Sequence, residues 1–139
     1  MDVLVLIGRI LFAFLFLNSA LGHLTQTKAM AGYAKSKGVP SAEPLVIITG
    51  LMLLTGGLMV LLGIWADLGA LILAAFLIPT AIIMHGFWKE SDSQAKMMEM
   101  VQFNKDMALG GASLMLMAFF SFVGSELGLT ITGPLFNIS

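Results

Sequence analysis

Few side chains in this sequence can do chemistry, and those that can stand at the edges of long apolar runs. His23 closes the first run, His85 closes the third, and Asp106 opens the fourth. Successive spanning helices alternate in direction, so these three residues are expected at one face of a bundle, with Trp88, Asn104 and Lys105 near them in sequence. One polar group at the rim of an apolar pocket is what a quinone or another amphipathic ring needs, its head meeting His85 or Asp106 and its tail lying between helices. Paired imidazoles also suggest axial ligation of a haem. The chain offers no second facing pair and no glycine notch beside each histidine, so haem is not expected. Two histidines with Asp106 could ligate zinc or iron, but boundary histidines commonly serve as hydrogen-bonding groups without metal. No metal is assigned. Lys105 and Asp106 also have a plain reading, as an interfacial anchor and a charge stabilised by the start of a helix.

Arg9 poses a different question, because a guanidinium keeps its charge and is costly anywhere in hydrocarbon. An interhelix contact is preferred to an anion or cofactor contact, and Asp67 and Glu126, expected near the same membrane face, are its candidate ionic partners. At 100° per residue Arg9, Phe12, Ala13, Phe16, Ala20 and His23 share one stripe of the first helix, while Asn18 points almost oppositely. Arg9 and His23 are about 21 Å apart along the axis and cannot share a small site.

The elements that must position these residues follow from composition. Of 139 residues, 58% are hydrophobic and 11% charged, against about 25% charged in a soluble domain. A membrane protein of all-α class is expected. The net charge of −1 gives no polybasic face for nucleic acid. Zero cysteines exclude disulfides, thiolate nucleophiles and cysteine-held clusters. The 11 methionines suit helix packing and lipid contact better than copper. No phosphate loop, serine–histidine–acid arrangement or carboxylate dyad supports hydrolysis, so no catalytic residue is named.

Four segments can each cross a core of roughly 30 Å, which takes about 20 helical residues: about 3–24, 44–64, 66–85 and 105–123. The turn around Trp65 makes the middle pair an antiparallel hairpin. The whole of 1–139 is expected to be a single transmembrane domain, a four-helix bundle with short interfacial helices in loops one and three. Tyr33, Met30 and Ala34 mark the first of these, which ends at Gly38 with Pro40 beyond; "SQAKMMEMVQF" marks the second. Ala66, Ala70 and Ala74 on the third span, and Ala108, Gly111 and Ala112 on the fourth, are expected to pack helix on helix. Pro79 is expected to bend the third span. The first segment lacks a basic leader and carries Arg9, so it is read as a retained helix. Lys28, Lys35 and Lys37 fall in loop one, and Lys89, Lys96 and Lys105 in or beside loop three. An excess of lysine marks cytoplasmic loops, which puts both termini outside.

The stretches "IGRILFAFLFLNSALGHLT", "YAKSKGVP", "GGLMVLLG", "FLIPTAIIMHGFWK" and "FNKDMALGGASLML" resemble, in order and spacing, the DoxX family of small four-helix membrane proteins across nearly the whole chain. The resemblance implies a bacterial-type inner-membrane protein, often associated with oxidoreductase or quinone-linked systems. Two departures stand out. Many members carry a glutamate in the second helix as a partner for the first-helix arginine, where this chain has apolar residues around Leu53. The frequent lysine–asparagine pair is Lys105–Asp106 here. The expected role is an accessory subunit packing against a redox-linked or other membrane complex, with a membrane-protein partner or a second copy. The alternative is a quinone-binding component of an oxidoreductase. A small-solute carrier or assembly factor is disfavoured by the scarcity of interior polar residues.

Overall fold

A computed structural model describes residues 1–136, so the final three residues of the 1–139 span lie outside the described residues. The elements are α1 (Asp2–Thr25), α2 (Thr27–Ser36), α3 (Ala42–Leu62), α4 (Ala66–Met84) and α5 (Ser93–Val123), with 3₁₀ turns at Phe87–Lys89 and Gly124–Glu126. Among the described residues there is no strand. Four of the helices, α1, α3, α4 and α5, are long and apolar enough to cross a membrane.

The helices pack in the series α1–α3–α4–α5, each against the next, while α2 lies on α3. Small residues let the backbones close. A β-carbon at Gly56 would stand 3.0 Å from the Gly69 carbonyl, and one at Gly69 would stand 2.6 Å from the Met59 side chain. Gly50 admits His23 and Leu24 of α1 in the same way, and Gly110 admits Ile78 of α4. In a lipid environment, where apolar contact with solvent is not penalised, such close packing is a main source of helix association. Phe16, Leu53, Val60, Leu73, Leu77 and Phe120 fill the common core. Leu53, at the position where the family resemblance implied a glutamate, is fully buried among them.

Two expectations need correcting. The α5 packing surface is Asp106, Gly110, Ser113, Phe120 and Ser121; Ala108 and Gly111 face outward, because Gly110 lies one residue, or about 100°, round from Gly111. The segment "SQAKMMEMVQF" is not a separate interfacial element either. Asp92 caps the helix, its carboxylate accepting from the Ala95 amide at 2.9 Å, and no glycine or proline interrupts the chain before Gly110, so one helix of 31 residues runs from Ser93. At 1.5 Å per residue it is about 46 Å long, well over the roughly 30 Å of hydrocarbon. Its first third must stand beyond the apolar layer. Pro79 lies inside α4, which continues through it to Met84.

The α3–α4 hairpin turns through Gly63 and Trp65, both left-handed at φ 68° and 43°. The C-terminal segment folds back over this turn: Ile131 and Thr132 amides donate to the Gly63 carbonyl, and the Trp65 amide donates to Thr132 Oγ1 at 2.9 Å. A β-carbon at Gly63 would meet Thr130 at 2.6 Å. Both the left-handed backbone and the close approach require glycine there.

Candidate functional site

Helix direction puts the C-terminal ends of α1 and α4 and the beginning of α5 at one end of the bundle, together with α2. His85 follows the last residue of α4, where its ring meets two carboxylates from α5. His85 Nδ1 lies 2.7 Å from Glu99 Oε2, and Nε2 lies 3.6 Å from Asp106 Oδ2. Glu99 and Asp106 are seven residues apart, two helical turns, and so project from one side of α5. The first contact is a hydrogen bond; the second is longer than one. A neutral imidazole donates to only one of its neighbours, whereas the protonated ring can donate toward both.

Glu99 gathers more than His85. Its Oε1 accepts from the Tyr33 hydroxyl at 2.7 Å and from Lys37 Nζ at 3.2 Å, and Lys37 also donates to Glu90 at 2.9 Å. Tyr33 and Lys37 are four apart on α2, hence neighbours on one face, with the ammonium 5.4 Å from the phenol ring centroid. The result is a connected polar series, Glu90–Lys37–Glu99–His85–Asp106–Lys105, ending with Lys105 Nζ 4.0 Å from Asp106 Oδ1. Burial, reinforced by Glu99 and opposed by Lys37, pushes the Tyr33 phenol up to about 12. The bond to Glu90 raises the Lys37 ammonium above the ordinary lysine value, with burial opposing and Glu99 adding.

The other residues expected at this end divide. Phe87, Trp88 and Phe103 form an edge-to-face trio with centroids 5.2–5.6 Å apart beside His85. Asn104 is exposed, and Lys105 donates to Gln102 at 2.6 Å. His23 belongs to a different set: Nδ1 lies 3.0 Å from Thr49 Oγ1 and 3.2 Å from the Val46 carbonyl of α3, and its ring meets Phe76 edge-on. The structure therefore brings together His85 and Asp106, and gives His23 separate partners. The sequence did not assign Glu99, Tyr33, Lys37 or Glu90 to this cluster. The seven-residue spacing of Glu99 and Asp106 was the available signal for the first, once α5 is seen as one helix; the docking of α2 has no comparable mark in the sequence. A recess of about 380 Å³ opens elsewhere, between the α1–α2 junction and the start of α3, lined by Gln26, Lys28 and Glu43 among others.

At the opposite end Arg9 meets main-chain oxygens. Nε donates to the Val60 carbonyl at 2.8 Å, Nη2 to Leu61 at 2.6 Å and Nη1 to Leu129 at 2.9 Å. Val60 and Leu61 lie in the last turn of α3, where carbonyls have no partner within the helix and the dipole is negative. Among the described residues no ion pair joins Arg9 to Asp67 or Glu126; the helix terminus takes the place of a carboxylate. Asp67 is fully buried and accepts from the amides of Leu135 at 2.9 Å and Phe136 at 2.7 Å, and from Ser121 at 3.3 Å. Its own Leu68 amide, at 2.9 Å, completes the set. Glu126 is exposed.

Four spanning helices, with charged groups held at both ends, define a multi-pass membrane protein. A family model described as DoxX matches residues 4–86. That is more than half of the chain, and the chain belongs to the DoxX family. The match ends at Gly86, so His23, Arg9 and His85 fall within it and Glu99 and Asp106 lie beyond it. No curated protein and no solved structure matches the chain.

Proposed function

We propose that this DoxX-family protein is an accessory subunit of a membrane complex, with redox-linked complexes the first class to test. The observation that carries this reading is how the polar groups are used. Among the described residues every side-chain nitrogen and oxygen that is wholly shielded from solvent has a hydrogen-bond partner within the chain. Arg9, Asp67 and His23 are each held by groups that fix one helix or the tail against another, as expected of a scaffold. Purification from its own membrane in mild detergent should recover a larger protein bound to the chain, with no chromophore of its own. Recovery of the chain alone under conditions that keep other complexes intact would count against this role.

A second reading, a quinone-binding component, rests on His85. The 3.6 Å separation from Asp106 leaves Nε2 free of a short hydrogen bond, and Phe87 and Trp88 follow His85 closely in the chain. A quinone oxygen could take that position, with its ring against Phe87 or Trp88. Bound quinone should then fall in His85→Ala and in Asp106→Ala; unchanged occupancy in both would remove the site.

The six lysines all lie at the His85 end, leaving Arg9 as the only basic residue toward the other. That distribution supports a cytoplasmic His85 end with both termini outside; α2 at the interface, one domain for the whole chain and an inner-membrane location are proposed with it. Reporter fusions at Ser91 and at the C-terminus should report opposite sides.

A further inference from the structure

The face of α1 that points away from the bundle carries an organised pattern. Leu4, Ile7, Leu11, Phe14, Asn18, Leu21 and Thr25 are all exposed, and they alternate at spacings of three and four over the full length of the helix. Their directions fall within a sector of about 100°, on the side opposite the buried Arg9, Ala13, Phe16 and Ala20. This is a seven-residue repeat with an apolar seam, the geometry by which two helices pair at about +20°. Leu11 and Phe14 are each 71% exposed.

Asn18 interrupts the seam and says what covers it. Its carboxamide makes no hydrogen bond within the described residues. It lies about 10 Å inward from Thr25 along the axis, too deep for so short a side chain to reach water. The spans α3 and α4 contain no asparagine or glutamine, and those of α5 (Gln94, Gln102 and Asn104) lie within its first twelve residues. An unpaired carboxamide in hydrocarbon is costly, and asparagine is a known means of joining helices there. The group is both donor and acceptor, so the partner that satisfies it most simply is the same group related by a twofold axis. Thr25 does not compete, since its hydroxyl already donates to its own Leu21 carbonyl.

We infer that the chain forms a parallel, twofold-symmetric homodimer through α1, with Leu4, Ile7, Leu11, Phe14 and Leu21 packed across the axis and Asn18 hydrogen-bonded to Asn18 of the second copy. The dimer leaves the His85 cluster and the C-terminal segment free, and it does not depend on the redox assignment. Because the twofold axis runs along the membrane normal, equivalent residues of the two copies lie at equal depth.

The chain has no cysteine, so single cysteines placed one at a time in the full-length protein, in its own membrane, report the contact directly. Oxidation should link Ile7→Cys, Leu11→Cys and Phe14→Cys to themselves in high yield. Leu58→Cys on α3 and Phe122→Cys on α5, which are also lipid-exposed, should link weakly. Equal yields at all five positions, or none at the α1 positions, would overturn the proposal, as would linkage of α1 to a different protein. In detergent, Asn18→Leu should weaken self-association by about 3- to 30-fold, while Asn18→Gln should retain part of it. A leucine variant that associates as tightly as the parent would rule out the carboxamide pair.

Discussion

At one end of the bundle Arg9 and Asp67 are held by main-chain groups and a serine hydroxyl; at the other, Glu99, Lys37, His85 and Asp106 hold one another. The Arg9 end holds few of the charged groups and the Glu99 end most of them, and the two respond differently to their surroundings. Main-chain carbonyls and amides do not titrate, and arginine stays protonated throughout the accessible range. The Arg9 end is a fixed closure, in which the tail is laced to the ends of α3 and α4. The Glu99 end is built from groups that gain and lose protons, partly open to water, where each pair contributes little alone. Permanent structure and adjustable charge are thus separated by the thickness of the membrane.

The comparison breaks most visibly at Arg9. Arg9→Leu leaves the carbonyls of Val60, Leu61 and Leu129 without their donor, and a loss of about 3 kcal/mol is expected, read as a lowered unfolding temperature in detergent; Arg9→Lys should recover part of it. If Arg9→Leu unfolds no earlier than the parent, the closure is not structural. Asp67→Asn comes next. It removes the charge and one acceptor from four donors, with about 1–2 kcal/mol lost, and the segment 127–136 should become sensitive to protease while α1–α5 remain intact. Uniform cleavage throughout the chain would show that Asp67 holds more than the tail.

Smaller effects are expected at the other end. Glu99→Gln should cost no more than about 1 kcal/mol, but it has a distinctive optical signature. Tyr33 is the single tyrosine of the chain, and Glu99 raises its phenol while Lys37 lowers it. Glu99→Gln should therefore move the phenolate absorbance midpoint down from about 12, and Lys37→Met should move it up. Shifts in the same direction would contradict the shared contact.

The smallest effect is in stability against pH. Tyr33 and Lys37 both have folded-state values raised above their ordinary ones. Each binds protons more tightly when folded, so its contribution is complete below about pH 10 and is lost as the pH rises through the folded value. Stability should decline in that alkaline window, and Tyr33→Phe should remove the tyrosine part of the slope.

What the sequence made legible follows the same division. Hydrophobic length located four spans, because crossing hydrocarbon demands it, and helix direction alone put His85 and Asp106 at one end. The partners of Arg9 were not legible. A search for carboxylates cannot reveal that the end of α3 and the returning tail offer carbonyls, since every residue has one. Glu99 was hidden by reading residues 93–103 as a separate interfacial turn. Once α5 is continuous, the two carboxylates line up. His23 seemed equivalent to His85 by depth, but depth does not fix direction around the axis, and Thr49 on α3 claims its ring.

The length of α5 also affects how the protein can sit in its bilayer. The part that outruns the hydrocarbon still presents Met97, Met98 and Val101, each at least 60% exposed, on a helix whose hydrogen bonds are complete. If the bilayer thickens, these side chains can sink into lipid without breaking the helix; if it thins, they can rise into the interface. The other end has no such slack, because its tail is fastened to Arg9 and Asp67. Changes in membrane thickness would therefore be absorbed on one side only, and the depth at which Glu99 meets water would follow the lipid around it.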